Sequence, residues 1–252
     1  MSEDIARILA EWEYEPDRIT ARIIPGDDGR DKVQLRLDLG LLQMELDGRP
    51  DGARPYGHGS LLEYHEAMAD RHIRQYGSAE SFALDSDDCE ALQEEGVQYY
   101  HRYLALLAVG EFERAERDTA RNLRLFDFVR EHAANEEDSL AFEQYRPYVI
   151  MMNARAGASR CLREERYADA LERIDGGVAK IEEFLERYGT RVPEERSREL
   201  TFLKRWREEL AKQRPLTEEE RLQAQLKAAV EAEDYDRAAE LRDEIERLKG
   251  EG

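Results

Sequence analysis

The chain is poor in the residues that redox and metal chemistry require. Its 252 residues include two cysteines, Cys89 and Cys161, and no Cys-x-x-Cys pair, so the sequence predicts neither a zinc ribbon nor a disulfide framework. Histidines number five, and three of them, His58, His65 and His72, recur at intervals of seven residues. Two metal ligands on one helix are usually three or four residues apart, so we predict no metal site.

Long apolar runs and an excess of positive charge are also missing. No stretch approaches about 18 consecutive apolar residues, and the acidic start Met-Ser-Glu-Asp contains no apolar signal segment, so we expect a cytoplasmic protein without membrane contact. Lys and Arg number 38 against 58 Asp and Glu, which gives a net charge of -20. Such a field repels polyphosphates, and we therefore expect no direct binding of nucleic acid.

Sequence signatures of catalysis do not occur either. The chain contains no G-x-S-x-G elbow, HExxH helix or Walker loop, and neither cysteine has a local histidine to activate it. We therefore expect a non-catalytic protein that needs no cofactor. The alternative is a small enzyme or ligand-binding domain at about residues 13–85, with the helices serving oligomerisation.

A short β region lies near the N-terminus, after a predicted helix at residues 3–12. Residues 19–24 and 33–37 flank the segment Pro25-Gly26-Asp27-Asp28-Gly29-Arg30, which has the composition of a turn. Apolar and polar residues alternate from Val33 to Leu39, as in a half-buried strand. The sequence thus predicts a β-hairpin, and the run LLQMEL after Gly40 is either a third strand or a short helix.

Residues 48–59, GRPDGARPYGHG, contain four glycines and two prolines and are predicted to form an irregular loop. Binding residues concentrate in such loops, and Arg49, Arg54 and His58 are the residues here that could hold a carboxylate or phosphate. The glycine spacing matches no phosphate-binding motif, which favours a turn over a ligand site.

Helical periodicity dominates the chain after residue 60. Pro147 must kink or restart one helix because it cannot donate the helical hydrogen bond. We expect Gly176-Gly177 to interrupt another, since glycine weakens helices. The predicted helices cover residues 61–76, 87–109, 112–134 and 139–163, a segment after Tyr167, and residues 193–212.

One corner pattern occurs three times, with an aromatic residue followed after three positions by alanine. The pairs are Phe112 and Ala115, Tyr167 and Ala170, and Tyr235 and Ala238. We expect each alanine to let a returning helix pack against its partner. The first two corners are similar to those of tetratricopeptide repeats. Because 55 residues separate them, where that repeat uses about 34, we predict tetratricopeptide-like packing and no closer relation.

The last part of the chain has the pattern of a helical hairpin. Thr217 and Glu220 form a capping box at its start. A hairpin this short buries too little apolar surface to be stable alone, so it should dock on something. Its two apolar stripes consist of Leu222, Leu226, Ala229 and Val230 in the first helix and of Ala238, Leu241, Ile245 and Leu248 in the second.

The segment LQAQLKAAVEAEDYDRAAELRDEIERL, residues 222–248, resembles the UVR motif. This hairpin occurs in the repair proteins UvrB and UvrC, in ClpC-type chaperones and in activators of protein arginine kinases. The match runs without a gap through AAELRD, while Glu233 stands where many members carry leucine. The resemblance implies protein association without catalysis, in nucleotide excision repair or in proteolytic and stress regulation. The implied partner is another UVR-bearing protein or a second copy of this chain.

Two apolar stripes cannot both be satisfied within one short hairpin, so we expect part of them to bind the partner, with Leu241 facing it. The expected partner-binding residues are Leu226, Val230, Tyr235, Ala238, Ala239, Leu241, Arg242, Ile245 and Leu248.

These patterns predict a mainly α protein built of antiparallel helical pairs. The expected domains are an N-terminal α/β region with the β-hairpin and the Gly/Pro loop (1–85), a helical-pair scaffold (86–214) and the UVR-like hairpin (215–252).

Overall fold

The structure, a computed structural model, describes residues 4–188, 197–215 and 218–250. It is mainly helical, with a small antiparallel sheet near the N-terminus and a helical hairpin at the C-terminus. The chain divides into two compact units, residues 1–207 and residues 208–252. The predicted boundary at residue 85 thus falls inside the first unit.

The sheet is a three-stranded meander of β1 (Ala21–Pro25), β2 (Asp31–Arg36) and β3 (Leu41–Glu45). The predicted β-hairpin is confirmed, and the run after Gly40 forms a third strand rather than a short helix. Gly29 adopts a φ of 76° in the turn between β1 and β2, a conformation that glycine takes without a steric penalty.

One face of the sheet is apolar and the other is polar. The apolar face packs on the helix Ser86–Ala108 through Val33, Leu35 and Met44, as the predicted alternation requires. On the polar face, Arg22 Nε donates to Gln34 Oε1 at 2.8 Å, and Gln34 Nε2 donates to Gln43 Oε1 at 2.9 Å. This ladder pairs the polar groups of all three strands, so Gln34 can be almost fully buried.

The helices agree with the predicted order. Pro147 lies in the first turn of a helix and restarts the chain there, because a proline at that position loses no helical hydrogen bond. The helices are α1 (Ala6–Ala10), α2 (Leu61–Tyr76), α3 (Ser86–Ala108), α4 (Phe112–His132), α5 (Glu136–Glu143), α6 (Arg146–Arg163), α7 (Tyr167–Tyr188), α8 (Arg198–Gln213), α9 (Glu218–Glu231) and α10 (Tyr235–Gly250). Residues 193–196, the expected start of the helix at 193–212, lie outside the described residues.

Helices α3, α4, α6 and α7 pack in sequence as neighbouring layers of the first unit. Two apolar cores lie between the elements. One joins the sheet to α3 and contains Val33, Tyr103 and Leu106. The other lies under α2 and α5 and contains Leu62 and Leu125, both fully buried. The sheet therefore packs into the same apolar core as the helices of the scaffold.

The prediction that Gly176-Gly177 interrupts a helix is wrong, since α7 is continuous from Tyr167 to Tyr188. A Cβ atom added at Gly177 would lie 2.6 Å from the Cβ of Ala154 on α6 and 3.1 Å from a methyl group of Leu203 on α8. Gly177 is thus required for close approach between helices. Packing across that contact outweighs the low helix propensity of glycine.

Candidate protein-binding hairpin

The C-terminal hairpin is formed by α9 and α10, which are joined at a tight corner. Glu233 takes the left-handed conformation with a φ of 57°, and the N–H of Asp234 then donates to the carbonyl oxygen of Ala229 at 2.9 Å. This bond satisfies an otherwise unpaired carbonyl group at the end of α9. The carboxylate of Asp234 accepts a hydrogen bond from the N–H of Arg237 at 3.1 Å and so caps the start of α10.

The same corner occurs twice in the first unit. Gly110 and Glu165 have φ values of 80° and 57°, and in each case the next N–H donates to a carbonyl oxygen five residues back, at 2.8 Å and 2.9 Å. A helix begins two residues after the left-handed position at all three corners. The alanine expected to allow close packing is buried each time, at Ala115, Ala170 and Ala238.

The two helices of the hairpin pack on each other through the predicted apolar stripes. Ala238, Leu241 and Ile245 of α10 are buried, and Leu222 and Leu226 of α9 are half-buried. Ala229 and Leu248 are half-buried as well. The expected Thr217–Glu220 capping box lies outside the described side chains.

The prediction that Leu241 faces a partner is wrong for the isolated chain, because its side chain is only 1% exposed. Ala238 and Ile245 are also buried, with 6% and 8% of their surface exposed. The spacing of three and four residues places these positions on one face of α10, and α9 packs against α10. The expectation that one short hairpin cannot bury both apolar stripes did not allow for the stripes of α9 and α10 covering each other.

The remaining predicted partner-binding residues include a group on the surface. Val230 and Tyr235 flank the corner and are 49% and 69% exposed, and Ala239 and Arg242 continue the exposed face along α10. We call Val230, Tyr235, Ala239 and Arg242 the outer face of the hairpin. Ala224 and Ala228, which the predicted set does not include, are also exposed and lie on the side of α9 away from its apolar stripe.

The surface of the hairpin is predominantly acidic. Residues 221–248 contain eight acidic side chains against five basic ones. Arg237 Nη1 donates to Glu240 Oε2 at 2.7 Å, and this hydrogen bond raises the pKa of the guanidinium group. The acidic excess limits which partner can approach the hairpin.

Comparison with known proteins assigns the hairpin to a family. Residues 220–251 match the family model described as the UvrB/uvrC motif. The hairpin is a UVR motif. Such motifs mediate association between proteins, including association with other UVR-bearing proteins, and have no catalytic role by themselves. No curated protein and no solved structure matches the chain.

Arg49, predicted as one residue of a ligand-binding loop, is held inside the first unit by two carboxylates. Its Nε lies 3.2 Å from Asp51 Oδ1 and 3.5 Å from Glu95 Oε2. Only 14% of the Arg49 side chain is exposed. Its guanidinium group therefore pairs with the exposed carboxylate of Asp51 and the buried carboxylate of Glu95.

The other two residues of that predicted loop have separate surroundings. Arg54 is exposed, and its Nη2 donates to the carbonyl oxygen of Gly57 at 3.2 Å. The ring of His58 contacts Tyr64 edge-on, with 5.6 Å between ring centroids. Within the described part of the chain, no hydrogen bond or ion pair joins Arg49, Arg54 and His58.

Sequence reasoning did not single out Glu95, although it is the centre of a buried polar network. Its carboxylate accepts hydrogen bonds from the N–H groups of Leu61 and Leu62 at 2.7 Å and 3.2 Å, and it also pairs with Arg121. It thus caps the positive end of α2 from a different helix. Residues more than 30 positions apart in sequence meet here, so helical periodicity carries no signal of the contact.

The two cysteines and the arrangement of possible metal ligands are the remaining chemical features of the described residues. Cys89 and Cys161 form no disulfide and are buried, and burial raises the pKa of Cys89 to about 11, so this thiol stays protonated at neutral pH. Across residues 4–188, 197–215 and 218–250, no group of three or more His, Cys, Asp or Glu side chains is arranged to hold a metal ion. None of the helices described there has the length and apolar character needed to cross a bilayer.

Proposed function

We propose that the chain is a non-catalytic adaptor that binds another UVR-bearing protein through the outer face of its UVR motif. The match of residues 220–251 to the UvrB/uvrC motif carries this proposal. The exposed side chains of Val230 and Tyr235 support it, because they present apolar surface beside a rigid corner. The scaffold of the first unit would be the part that such an adaptor brings to its partner.

Charge favours a different protein over a second copy of the chain. The UVR motif has an acidic excess, and the whole chain carries a net charge of -20. Two copies approaching through the same acidic surface repel each other, whereas a partner with basic residues around its own hairpin is attracted. We therefore propose a partner with basic residues beside its UVR motif. Nucleotide excision repair and proteolytic or stress regulation are the two settings in which we would look for it.

The test is affinity capture with the full-length protein, followed by identification of the captured proteins by mass spectrometry. The wild type should retain a UVR-bearing protein, and Val230→Arg should lose it, since the substitution places a cation and a long side chain at the proposed contact. Val97→Arg is the matched control, because Val97 on α3 is 46% exposed, close to the 49% of Val230. Capture of a UVR-bearing protein that survives Val230→Arg but not Val97→Arg would contradict the proposal.

A further inference from the structure

A groove of about 450 Å³ lies between α3, α4 and the segment formed by α5 and α6. This volume is within the range of about 300–1,000 Å³ that small-molecule sites occupy, and it exceeds the voids that imperfect packing leaves in a protein interior. The lining residues are Gln93, Gly96, Val97, Tyr100, Tyr103, Asn122, Phe126, Phe142, Tyr145, Tyr148 and Val149.

The lining carries no charged side chain. Charged residues make up 38% of the chain, yet none of the eleven lining residues is Asp, Glu, Lys or Arg. An ion buried in such a groove would lose its hydration without gaining a counter-ion, which is strongly unfavourable. The chemistry of the groove therefore selects an uncharged occupant.

Six of the lining residues are aromatic, and their rings meet at steep angles. Tyr100 and Tyr103 pack edge to face, with 5.5 Å between centroids and an interplanar angle of 90°. Phe126 and Phe142 pack in the same manner, at 5.8 Å and 70°. Rings in these orientations offer both faces and edges to a planar guest, which is how aromatic groups pack most favourably.

Hydroxyl groups supply hydrogen bonding within this apolar surface. Tyr100 and Tyr148, with 6.3 Å between their ring centroids, both bring a hydroxyl group to the lining. A neutral tyrosine hydroxyl group can donate one hydrogen bond and accept others, so each can bind a polar group of a guest. Burial raises the pKa of Tyr148 to about 12 and raises that of Tyr103 further, so both hydroxyl groups are neutral at physiological pH.

The amide of Asn122 already makes two hydrogen bonds within the protein. Its Nδ2 donates to the carbonyl oxygen of Gly96 at 2.9 Å, and its Oδ1 accepts from Arg121 Nη1 at 3.1 Å. A peptide in the groove would bring an N–H and a C=O for every residue, and each buried pair needs partners. The amide of Asn122 is partly committed to the protein, and a volume of about 450 Å³ is typical of small-molecule sites, which favours a small molecule over a peptide.

We propose that this groove binds an uncharged small molecule with a planar aromatic ring and a hydrogen-bonding group. The rings of the lining pack against the aromatic part, and the tyrosine hydroxyl groups bind the polar part. Val97 and Tyr145, which are 46% and 51% exposed, form an apolar rim through which the molecule enters. The site lies in the first unit and goes beyond the adaptor role proposed for the UVR motif.

Two probes that differ in charge test the site. Indole-3-acetamide is neutral and planar, and indole-3-acetate has the same ring with a carboxylate. Calorimetric titration of the full-length protein should show saturable binding of the amide at least about tenfold tighter than binding of the acid, because none of the lining residues is a cation. Cyclohexylacetamide should bind more weakly than indole-3-acetamide because it lacks the planar ring.

Substitutions then locate the binding. Val97→Arg places a charged side chain at the rim and should abolish binding of indole-3-acetamide, while Val230→Arg on the UVR motif should leave it unchanged. The melting temperatures of both variants report whether each remains folded. Tyr145→Ala, at an exposed position, is a second rim variant beside Val97→Arg. Absence of saturable binding at millimolar indole-3-acetamide, equal binding of the acid, or binding that survives both rim variants would overturn the proposal. Capture of a protein through Val97 without binding of the amide would overturn it in favour of a peptide groove.

Discussion

Glu165 and Glu233 adopt the same left-handed backbone conformation, each with a φ of 57°, at corresponding corners of two helical pairs. A third corner places Gly110 at this position, with a φ of 80°. For a residue with a Cβ atom the left-handed conformation is strained, whereas glycine adopts it readily. The corner of the UVR motif is therefore built like those of the scaffold but contains a less suitable residue.

Replacing either glutamate by glycine should stabilise the corner concerned. Glu165→Gly and Glu233→Gly should each raise the free energy of unfolding of their helical pair by up to about 1 kcal/mol, as relief of strain exceeds the entropy that glycine adds to the unfolded chain. Urea unfolding measures the first, and hydrogen exchange of the α9 and α10 amides measures the second. Glu164→Gly is the control and should not stabilise, because Glu164 has a φ of -96°. Equal effects at 164 and 165 would rule out relief of strain.

Replacing Arg102 or Asp118 alone should destabilise the folded protein. Arg102 Nε and Nη2 donate to the two Asp118 oxygens at 2.6 Å and 2.8 Å, and both side chains are 1% exposed. Asp118→Ala leaves the guanidinium group buried without its counter-ion and should destabilise the protein by about 3–5 kcal/mol. Urea unfolding followed by circular dichroism gives the value.

The control for this substitution is Glu183→Ala, which removes an exposed partner of Arg187 at 3.1 Å. Its effect should stay below about 1 kcal/mol. The double variant Arg102→Met/Asp118→Leu should be less destabilised than the sum of its single changes, because no isolated charge remains buried. An additive double variant would mean that the two charges do not depend on each other.

The sequence predicted most of the architecture because its signals there are local. Alternation from Val33 to Leu39 identified a strand, the aromatic–alanine corners identified helical pairs, and Pro147 identified a helix start. It failed at Gly177, where a contact between α6 and α7 decides the conformation. Tetratricopeptide-like packing of the pairs stays a prediction.

The candidate site was predicted less completely. Helical spacing identified the apolar face of α10, but it cannot show whether that face is covered, and Leu241 was assigned to the wrong side of the hairpin for this reason. The network around Glu95 and the groove lined by Tyr100 and Tyr148 join residues that are far apart in sequence. Only tertiary packing brings such groups together, so no periodicity reveals them.

Leu241 should now behave as a core residue. Leu241→Ala should destabilise the UVR motif by about 2–5 kcal/mol, since it removes buried methyl groups and leaves a cavity. Hydrogen exchange of the α10 amides measures the loss. Arg242→Ala, at the adjacent exposed position, should change their protection by no more than about 0.5 kcal/mol. Unchanged protection in Leu241→Ala would show that this side chain is not part of a stable core.

The stability of the first unit should fall as the pH is lowered through the range in which histidine titrates. Burial lowers the pKa of His65, against the opposing effect of Asp88 and two other carboxylates, and burial lowers the pKa of His101. The unfolded chain, with histidine pKa values near 6.5, then binds more protons than the folded chain below that pH. The stability that neutral His65 and His101 contribute is therefore present above about pH 6.5 and is lost as the pH falls towards their folded pKa values.

Melting temperatures measured at intervals from about pH 7.5 to 5.5 should decrease, and the variant His65→Gln/His101→Gln should show a smaller decrease over the same range. An unchanged slope in the double variant would assign the pH dependence to other groups.

Site-specific photo-crosslinking tests the adaptor role most directly. A photoreactive phenylalanine analogue is placed at Tyr235 on the outer face of the UVR motif or, as the control, at Tyr76 at the end of α2; these side chains are 69% and 63% exposed. The account predicts a crosslink from position 235, and not from position 76, to the UVR motif of another protein. Crosslinking of that protein from position 76 alone, or no crosslink from position 235 while the partner is bound, would contradict it.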